Sequence, residues 1–462
     1  MPQAENSAAF EAAESAQQVF DVLQRDVEDA LARGDVDTVN GLLEGLHAAD
    51  KAELLNYLPE KDRCELTGML GEAFDADILP ELSSDAAEHV MEALGTERCA
   101  EALAQMESDD ALHLIEELDE AGQAELLGAV PEALRDEIEE ALCYPEDSAG
   151  RLMTRKLVAV ADFWTVGNVI DYLRSHVDLP ENFYLVYVVD ARFHPIGRVH
   201  LGKMLHAQRD VKIAEIMQSE QHQVATDLDQ EEVAHLFTKY GLVETPVVNA
   251  GGRLMGTITV DDVVHVIHEE EGEDYLRSGG VKSQDIQMTL FDTMKQRFPW
   301  LFVNLLTAVL ASLVIGAYAE TIEQLVALAV LMPIVASMGG NAGTQSVTVA
   351  VRALATKELR GGKGWAAIRK ELMVGLMNGA LLAVLMAAGA FLMYHDGMLA
   401  AVFGFATILT LMIAGFSGAA IPIVLSRLKV DPAIASGVFL TTVTDVVGFL
   451  SFLGLAALLL MG

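Results

Sequence analysis

One acid stands alone in the most apolar part of the chain. It is Asp445, in Thr441-Thr442-Val443-Thr444-Asp445-Val446-Val447-Gly448, and no other charged residue follows Asp431. An unpaired carboxylate at the centre of a bilayer costs several kcal/mol, and such residues face a bundle interior or an ion path. No Lys or Arg in the long apolar stretches could neutralise it. A buried, protonated Asp is one reading. A cation site accounts better for an acid among three threonines. Mg²⁺ suits such a site, because it prefers hard oxygen ligands, keeps its water and is held by one or two carboxylates. Two copies of Asp445 facing one axis would present two negative charges to it. A second polar segment is Pro333 followed by Gly339-Gly340-Asn341-Ala342-Gly343-Thr344-Gln345-Ser346. Such residues are costly against lipid but tolerable where helices pack closely or carbonyls line a wet cavity. Close helix packing is the competing explanation for some of these glycines.

Both segments need a membrane to position them. A span takes roughly 20 apolar residues to cross a core of about 30 Å. Five stretches qualify: 300–318, 325–351, 372–394, 398–425 and 432–462. The loops between spans one and two and between three and four carry no Lys or Arg. Arg352, Lys357, Arg360, Lys363, Arg369 and Lys370 lie between spans two and three, and Arg427 and Lys429 between four and five. Basic loops mark the cytoplasmic side. This expectation places everything before the first span inside and Gly462 outside.

The remainder is acidic. The 462 residues carry a formal net charge of -38, yet the mean hydropathy is +0.31. The pair of values implies a charged soluble part joined to an apolar one. Such negative charge excludes nucleic acid as a partner and suits a chain that handles cations. Cys64, Cys99 and Cys143 have no metal-ligand spacing and read as reduced thiols. The first residues have no secretory pattern, so the soluble part is expected to stay in the cytoplasm.

From 36 to 142 the pattern is short amphipathic helices. EHVMEALGTERCAEALAQM (88–106) aligns with LHLIEELDEAGQAELLGAV (112–130) at a period of 24. Stacked helix pairs of this kind bury one another's apolar faces in a small superhelix. Asp85, Asp109 and Asp110 open repeat helices, where capping is the expected role. From 152 to 267, two β-α-β-β-α series of about sixty residues each follow. Glu269-Glu270-Glu271-Gly272-Glu273-Asp274 leads into an amphipathic stretch at 275–297, and Pro299 reads as the break where the membrane begins.

The two α/β series resemble a tandem CBS module. The match is best at Pro246-Val247-Val248, Gly251-Gly252-Arg253-Leu254 and Gly256-Thr257-Ile258-Thr259-Val260-Asp261-Asp262. The resemblance implies that Thr259 and Asp262 hold a nucleotide ribose, with ATP the candidate. Gly197-Arg198-Val199-His200-Leu201-Gly202-Lys203 has no hydroxyl and acid in register, so at most one nucleotide per chain is expected. A CBS pair that binds no nucleotide is the alternative.

The whole chain resembles the MgtE family of magnesium channels and transporters. The specific segments are Pro333 to Gln345, Arg352-Ala353-Leu354-Ala355-Thr356, Asp431-Pro432-Ala433 and Thr444 to Gly448. The resemblance implies a multidomain membrane protein. It has an acidic all-α superhelical N domain (1–143), α/β CBS domains (144–207 and 208–271), a connecting plug helix (272–298) and a five-helix transmembrane domain (299–462). It implies a homodimer in a bacterial inner membrane with the pore at the subunit interface, and no enzymatic activity. Asp445 corresponds to the pore acid that recognises hydrated Mg²⁺, and Asn341 and Thr441 to positions whose carbonyls line that site. Glu273 and Asp274 correspond to plug acids, Asp431 to an acid at the cytoplasmic mouth and Asp262 to a CBS acid facing the plug. Intracellular Mg²⁺ bridging these acids would close the pore. Two departures are Gly437, where a well-known member has Asn, and His265, where it has a further acid. The expected function is Mg²⁺-gated entry of Mg²⁺ into the cytoplasm. The alternatives are a coupled transporter or exporter of Co²⁺ or Mn²⁺, and a CBS-gated receptor that transports nothing.

Overall fold

The computed structural model describes residues 2–71, 74–176, 179–180, 183–219, 222–281, 290–359 and 363–460. It divides into two compact units, Met1–His268 and Glu269–Gly462.

The first unit opens on a helix, Pro2–Arg33, whose Val27, Ala30 and Leu31 are buried. Short helices follow, and the 24-residue repeat is visible in them. Ser84–Leu94 and Thr96–Leu103 recur as Ser108–Glu116 and Glu120–Ala129. Equivalent positions are buried in both copies: Ala87 with Ala111, Val90 with Leu114, Met91 with Ile115, and Met106 with Val130. Apolar residues at this spacing form one helix face, and stacking hides it. The same region buries a cation. Arg63 is 1 % exposed, donates to the carbonyls of Leu55 and Leu58, and pairs with Asp85 at 3.0 Å. Asp85 thus neutralises a core guanidinium instead of capping its helix, whose N-cap Ser83 makes no side-chain bond.

Two small sheets follow in the same unit. The first joins β1 (Ala159–Ala161), β2 (Leu185–Val189) and β3 (Pro195–His200). The second joins β4 (Val224–Ala225), β5 (Glu244–Val248) and β6 (Leu254–Thr259). In each, the first pair is parallel and the second antiparallel, with a bulge at Val188/Val189 and again at Val247/Val248. Every residue of β2 and β5 is buried, as central strands covered on both faces must be. Reciprocal backbone bonds of 2.9 Å between Thr154 and Thr257 fasten the segment before β1 to β6. Glu244, 3 % exposed, accepts from the Tyr184 and Leu185 amides and from Thr257 Oγ1 across the two sheets.

The second unit holds five helices long and apolar enough to cross a membrane. The spans are Thr293–Ala317, Ala327–Ala355, Lys363–Tyr394, Gly397–Arg427 and Gly437–Leu460, numbered one to five here. Span four is central: 61 % of its apolar window is buried, against 6 % for span one. Backbone contact sets its packing on span three. A Cβ on Gly375 would lie 2.4 Å from the Leu411 carbonyl, and one on Gly415 would lie 2.5 Å from the Glu371 carbonyl. Small residues let helices approach this closely in lipid, where dispersion replaces the hydrophobic drive.

Three boundaries differ from the sequence reading. Spans two and three extend into the expected basic loop, so Arg352, Lys363, Arg369 and Lys370 lie on helix ends and Lys357 in a turn, while Arg360 falls outside the described residues. Long basic side chains reach water from such ends. Pro299 sits inside the helix Leu290–Ala317, with no break there. Glu273 and Asp274 lie in a helix that already begins at Val260 and stops at Ser278. The connecting segment expected at 272–298 therefore includes that helix end, the turn at Gly279-Gly280 and the start of the next helix. Its residues 282–289 lie outside those described, as does Gly462.

Candidate functional site

The membrane site is built from spans two and five. Span five turns Leu440, Thr444 and Gly448 inward, at the four-residue spacing of one helix face. Thr444 lies 3.6 Å from where a Gly339 Cβ would stand, and Leu440 2.7 Å from a Cβ on Gly343. Gly448 fits against Thr410 and Val335. Gly339 and Gly343 are thus packing glycines, while Gly340 meets nothing within 4 Å. Because Gly339 meets Thr444 and Gly343 meets Leu440, the two helices run antiparallel, and Asn341 lies level with the turn between Thr441 and Asp445.

Next to the packed face, Gly437, Thr441 and Asp445 form a second stripe, again four residues apart. A Cβ at Gly437 would meet open space, Thr441 is exposed and Asp445 is half-buried. Thr441 donates its hydroxyl to the Gly437 carbonyl at 2.9 Å. Span two carries a matching stripe of Ser337, Asn341, Thr344 and Thr348, all exposed. Asn341 Nδ2 donates to Ser337 Oγ at 3.4 Å, and Thr344 and Thr348 donate to the carbonyls four residues back. The structure thus brings the sequence-predicted Asn341, Thr441 and Asp445 to one level of two adjacent helices. Among the described residues, no three His, Cys, Asp or Glu side chains converge to hold a metal ion within one chain.

A second group lies where the helix Val260–Ser278 ends. Arg277 forms an ion pair with Glu273 one turn back and approaches Asp431 at 3.7 Å. Burial raises the Asp274 carboxyl above its ordinary range. Asp431 and Glu273 push it further up, and Arg277 opposes them. Glu273, Asp274 and Asp431, which the family resemblance set among the gating acids, are therefore neighbours in the second unit.

A third group is in the first unit. The Thr259 and Asp262 of the nucleotide expectation bond to each other. Asp262 Oδ2 accepts from Thr259 Oγ1 at 2.5 Å and from the Thr259 amide at 3.3 Å, which starts the helix at Val260 as a capping side chain does. Strand register makes the first sheet's counterpart explicit. His200 faces Leu185 as Thr259 faces Glu244, so His200 and Lys203 stand where Thr259 and Asp262 would. His265 is exposed one turn beyond Asp262.

Sequence reasoning missed two members of this group. Asp109 and Asp110 begin the helix Ser108–Glu116, whose N-cap is Glu107 and has no side-chain cap bond. Asp109 Oδ1 is shut off from solvent with no hydrogen-bond partner. Burial raises the Asp109 carboxyl well above its ordinary range, and Asp262, Asp110 and Glu107 add to the effect. Burial, then Asp262, lifts Asp110 to about 7. Burial lifts Asp262 to about 6 against its bonds from Thr259, with Asp261 and Glu107 raising it too. The signal was in the repeat: a 24-residue shift sets Asp110 on Ala86, which is fully buried.

Three regions of the chain match known families. A family described as "Divalent cation transporter" matches residues 332–455, the MgtE intracellular N domain matches 46–147, and the CBS domain matches 213–269, the second α/β unit. The chain is 34% identical to the magnesium transporter MgtE of Thermus thermophilus over 442 residues, covering 94% of this chain and 98% of that protein. It is 31% identical to the Bacillus subtilis magnesium transporter MgtE, over 92% of this chain and 95% of that one. Among solved structures, the cytosolic domain of the Mg²⁺ channel MgtE in complex with ATP is similar. It has 34% identity and a TM-score of 0.49, covering 53% of this chain and 99% of that chain. With this likeness over nearly its whole length, the chain belongs to the MgtE family of magnesium transporters.

Proposed function

We propose that the chain carries Mg²⁺ into the cytoplasm through a pore shared by two copies, and that intracellular Mg²⁺ closes it. The observation that carries this reading is the pair of polar stripes, Ser337 to Thr348 and Gly437 to Asp445, on adjacent spans and open to the outside of one chain. Polar side chains at that depth face protein or water rather than lipid. A second copy supplies both, and its own Asp445 doubles the negative charge. The membrane potential drives entry at about 2.3 kcal/mol per elementary charge per 100 mV, twice that for a divalent ion. The reading takes the membrane to be a bacterial inner membrane, with the basic loops inside and the C-terminus outside.

Closure would use the carboxylates as a sensor. The Asp109–Asp110–Asp262 group, and Glu273, Asp274 and Asp431, each gather negative charge that a divalent ion relieves. Thr259 and Asp262 remain the candidates for an ATP ribose.

The test of the transport reading is Mg²⁺ uptake into liposomes holding the full chain. Uptake with competition by Mg²⁺ against Co²⁺ and Mn²⁺ is expected. Uptake of Co²⁺ or Mn²⁺ that Mg²⁺ leaves untouched supports the coupled-transporter alternative. No ion movement at all supports a receptor.

The sensor reading predicts a pH dependence. Asp110 and Asp262 titrate at about 7 and about 6 when folded, against 3.8 ordinarily. Their contribution to stability is therefore full below 3.8 and is lost as pH rises through 6 and 7. Without Mg²⁺, the cytosolic region should unfold at a lower temperature at pH 8 than at pH 6. Millimolar Mg²⁺ should raise that temperature more at pH 8. An equal Mg²⁺ effect at both pH values counts against cation binding by this group.

A further inference from the structure

We propose that Arg277 is a built-in counter-cation of the pore mouth. Its guanidinium clips the helix bearing Glu273 and Asp274 to Asp431, and so sets how much charge a divalent ion must supply there. The proposal rests on the reading of these acids as a Mg²⁺-sensitive lock.

The geometry is that of a fork. Arg277 Nη2 pairs with Glu273 on its own helix, and Nη1 reaches Asp431 at 3.7 Å, at the start of the helix that carries Asp445. A guanidinium presents separate donors in a fixed plane and so can join two carboxylates at once, which a lysine ammonium does less well. Charge follows from the same four residues. Three carboxylates less one guanidinium leave two negative charges, the charge of one divalent cation. A second contact holds the same helix end. Gly280 has φ +74° and leaves no room for a Cβ against the Trp300 ring, so the chain leaves the helix pressed against span one. Arg277 and Gly280, three residues apart, therefore tie the helix end to the membrane helices by a charge pair and by contact with the Trp300 ring. The clip keeps the mouth acids together when no divalent ion is bound. Mg²⁺ then adds to a contact already made.

The test uses the full-length protein in lipid nanodiscs and the rate at which proteinase K cuts around Glu273. In EDTA, Arg277→Gln should be cut roughly twofold to fivefold faster than the parent, the size expected of a half-exposed ion pair. The exchange Arg277→Asp with Asp431→Arg should restore part of the parent rate, because it remakes the 277–431 pair and keeps the net charge while giving up the pair with Glu273. With Mg²⁺ added, Arg277→Gln should reach full protection at a lower concentration, since three uncompensated carboxylates attract the ion more strongly. An unchanged rate for Arg277→Gln in EDTA overturns the clip. So does a faster rate that the exchange fails to restore even in part, which would mark helix damage alone. The lock itself is read separately, from the parent with and without Mg²⁺. Equal cutting there removes the lock whatever Arg277 does.

Discussion

Liposomes carrying the Asp445→Ala variant should take up Mg²⁺ at least about tenfold more slowly than those carrying the parent chain. The effect is electrostatic. A hydrated divalent ion touches a carboxylate through water at about 5 Å, where the attraction at an effective dielectric of about 20 is several kcal/mol. A tenfold change corresponds to about 1.4 kcal/mol, so a small part of that attraction is enough. Asp445→Asn separates charge from shape. It keeps the volume, and Thr441 and Gly437 lie on the same stripe unchanged, so packing of Leu440, Thr444 and Gly448 on span two should persist. If the site recognises charge, Asn should fail nearly as badly as Ala. Normal uptake by either variant, with the protein still folded by gel filtration, would remove Asp445 from the ion path.

The double variant Glu273→Gln/Asp274→Asn should transport Mg²⁺ normally at low internal Mg²⁺ yet stay open when millimolar Mg²⁺ is supplied inside. In the parent, the Asp274 carboxyl is held above its ordinary range by burial, then by Asp431 and Glu273, with Arg277 opposing. Such a group gains most from a cation, because binding removes both the burial penalty and the repulsion. Removing two of the three acids leaves Asp431 and Arg277, whose charges cancel, so little remains to attract a divalent ion. The midpoint of Mg²⁺ closure should rise by about tenfold or more, equal to about 1.4 kcal/mol of lost coupling. Flux against internal Mg²⁺ measures it. Protease protection near Glu273 gives a second reading, and loss of protection with normal closure would place the sensor elsewhere. An unshifted closure curve would mean that the acids at 273 and 274 serve the helix alone.

The membrane third was legible because its signal is one-dimensional. A span is a length of apolar chain, and loop charge orients it. All five helices accordingly contain the stretches read from hydropathy, apart from a residue or two at the ends of spans one and two and the ends of the last stretch. The helical repeat was legible for a related reason, since equivalent positions at a fixed period must bury equivalent faces. The lone acid at Asp445 stood out in sequence because a charge in an apolar run needs a partner or a path.

Other features depended on which helix faces meet. Sequence alone left the glycines of 339–343 undivided between packing and pore. Only the contacts of Gly339 with Thr410 and Thr444 and of Gly343 with Leu440 assign those two to packing and turn Asn341 outward. Asp85 and Asp109 both open repeat helices and read alike. One neutralises a buried Arg63, while the other sits with Asp110 and Asp262 in a region where burial raises its carboxyl. The difference lies in residues 22 positions before one and about 150 after the other, and no local pattern carries that information. Arg277 was one more base in a helix until the fold set it beside Asp431. The sequence thus carried the family in its motifs and the spans in its hydropathy, and it raised the expectations of their orientation and of Asp445 as the pore acid. Tertiary structure decided which charges face one another, because charge pairing acts through space and ignores distance along the chain.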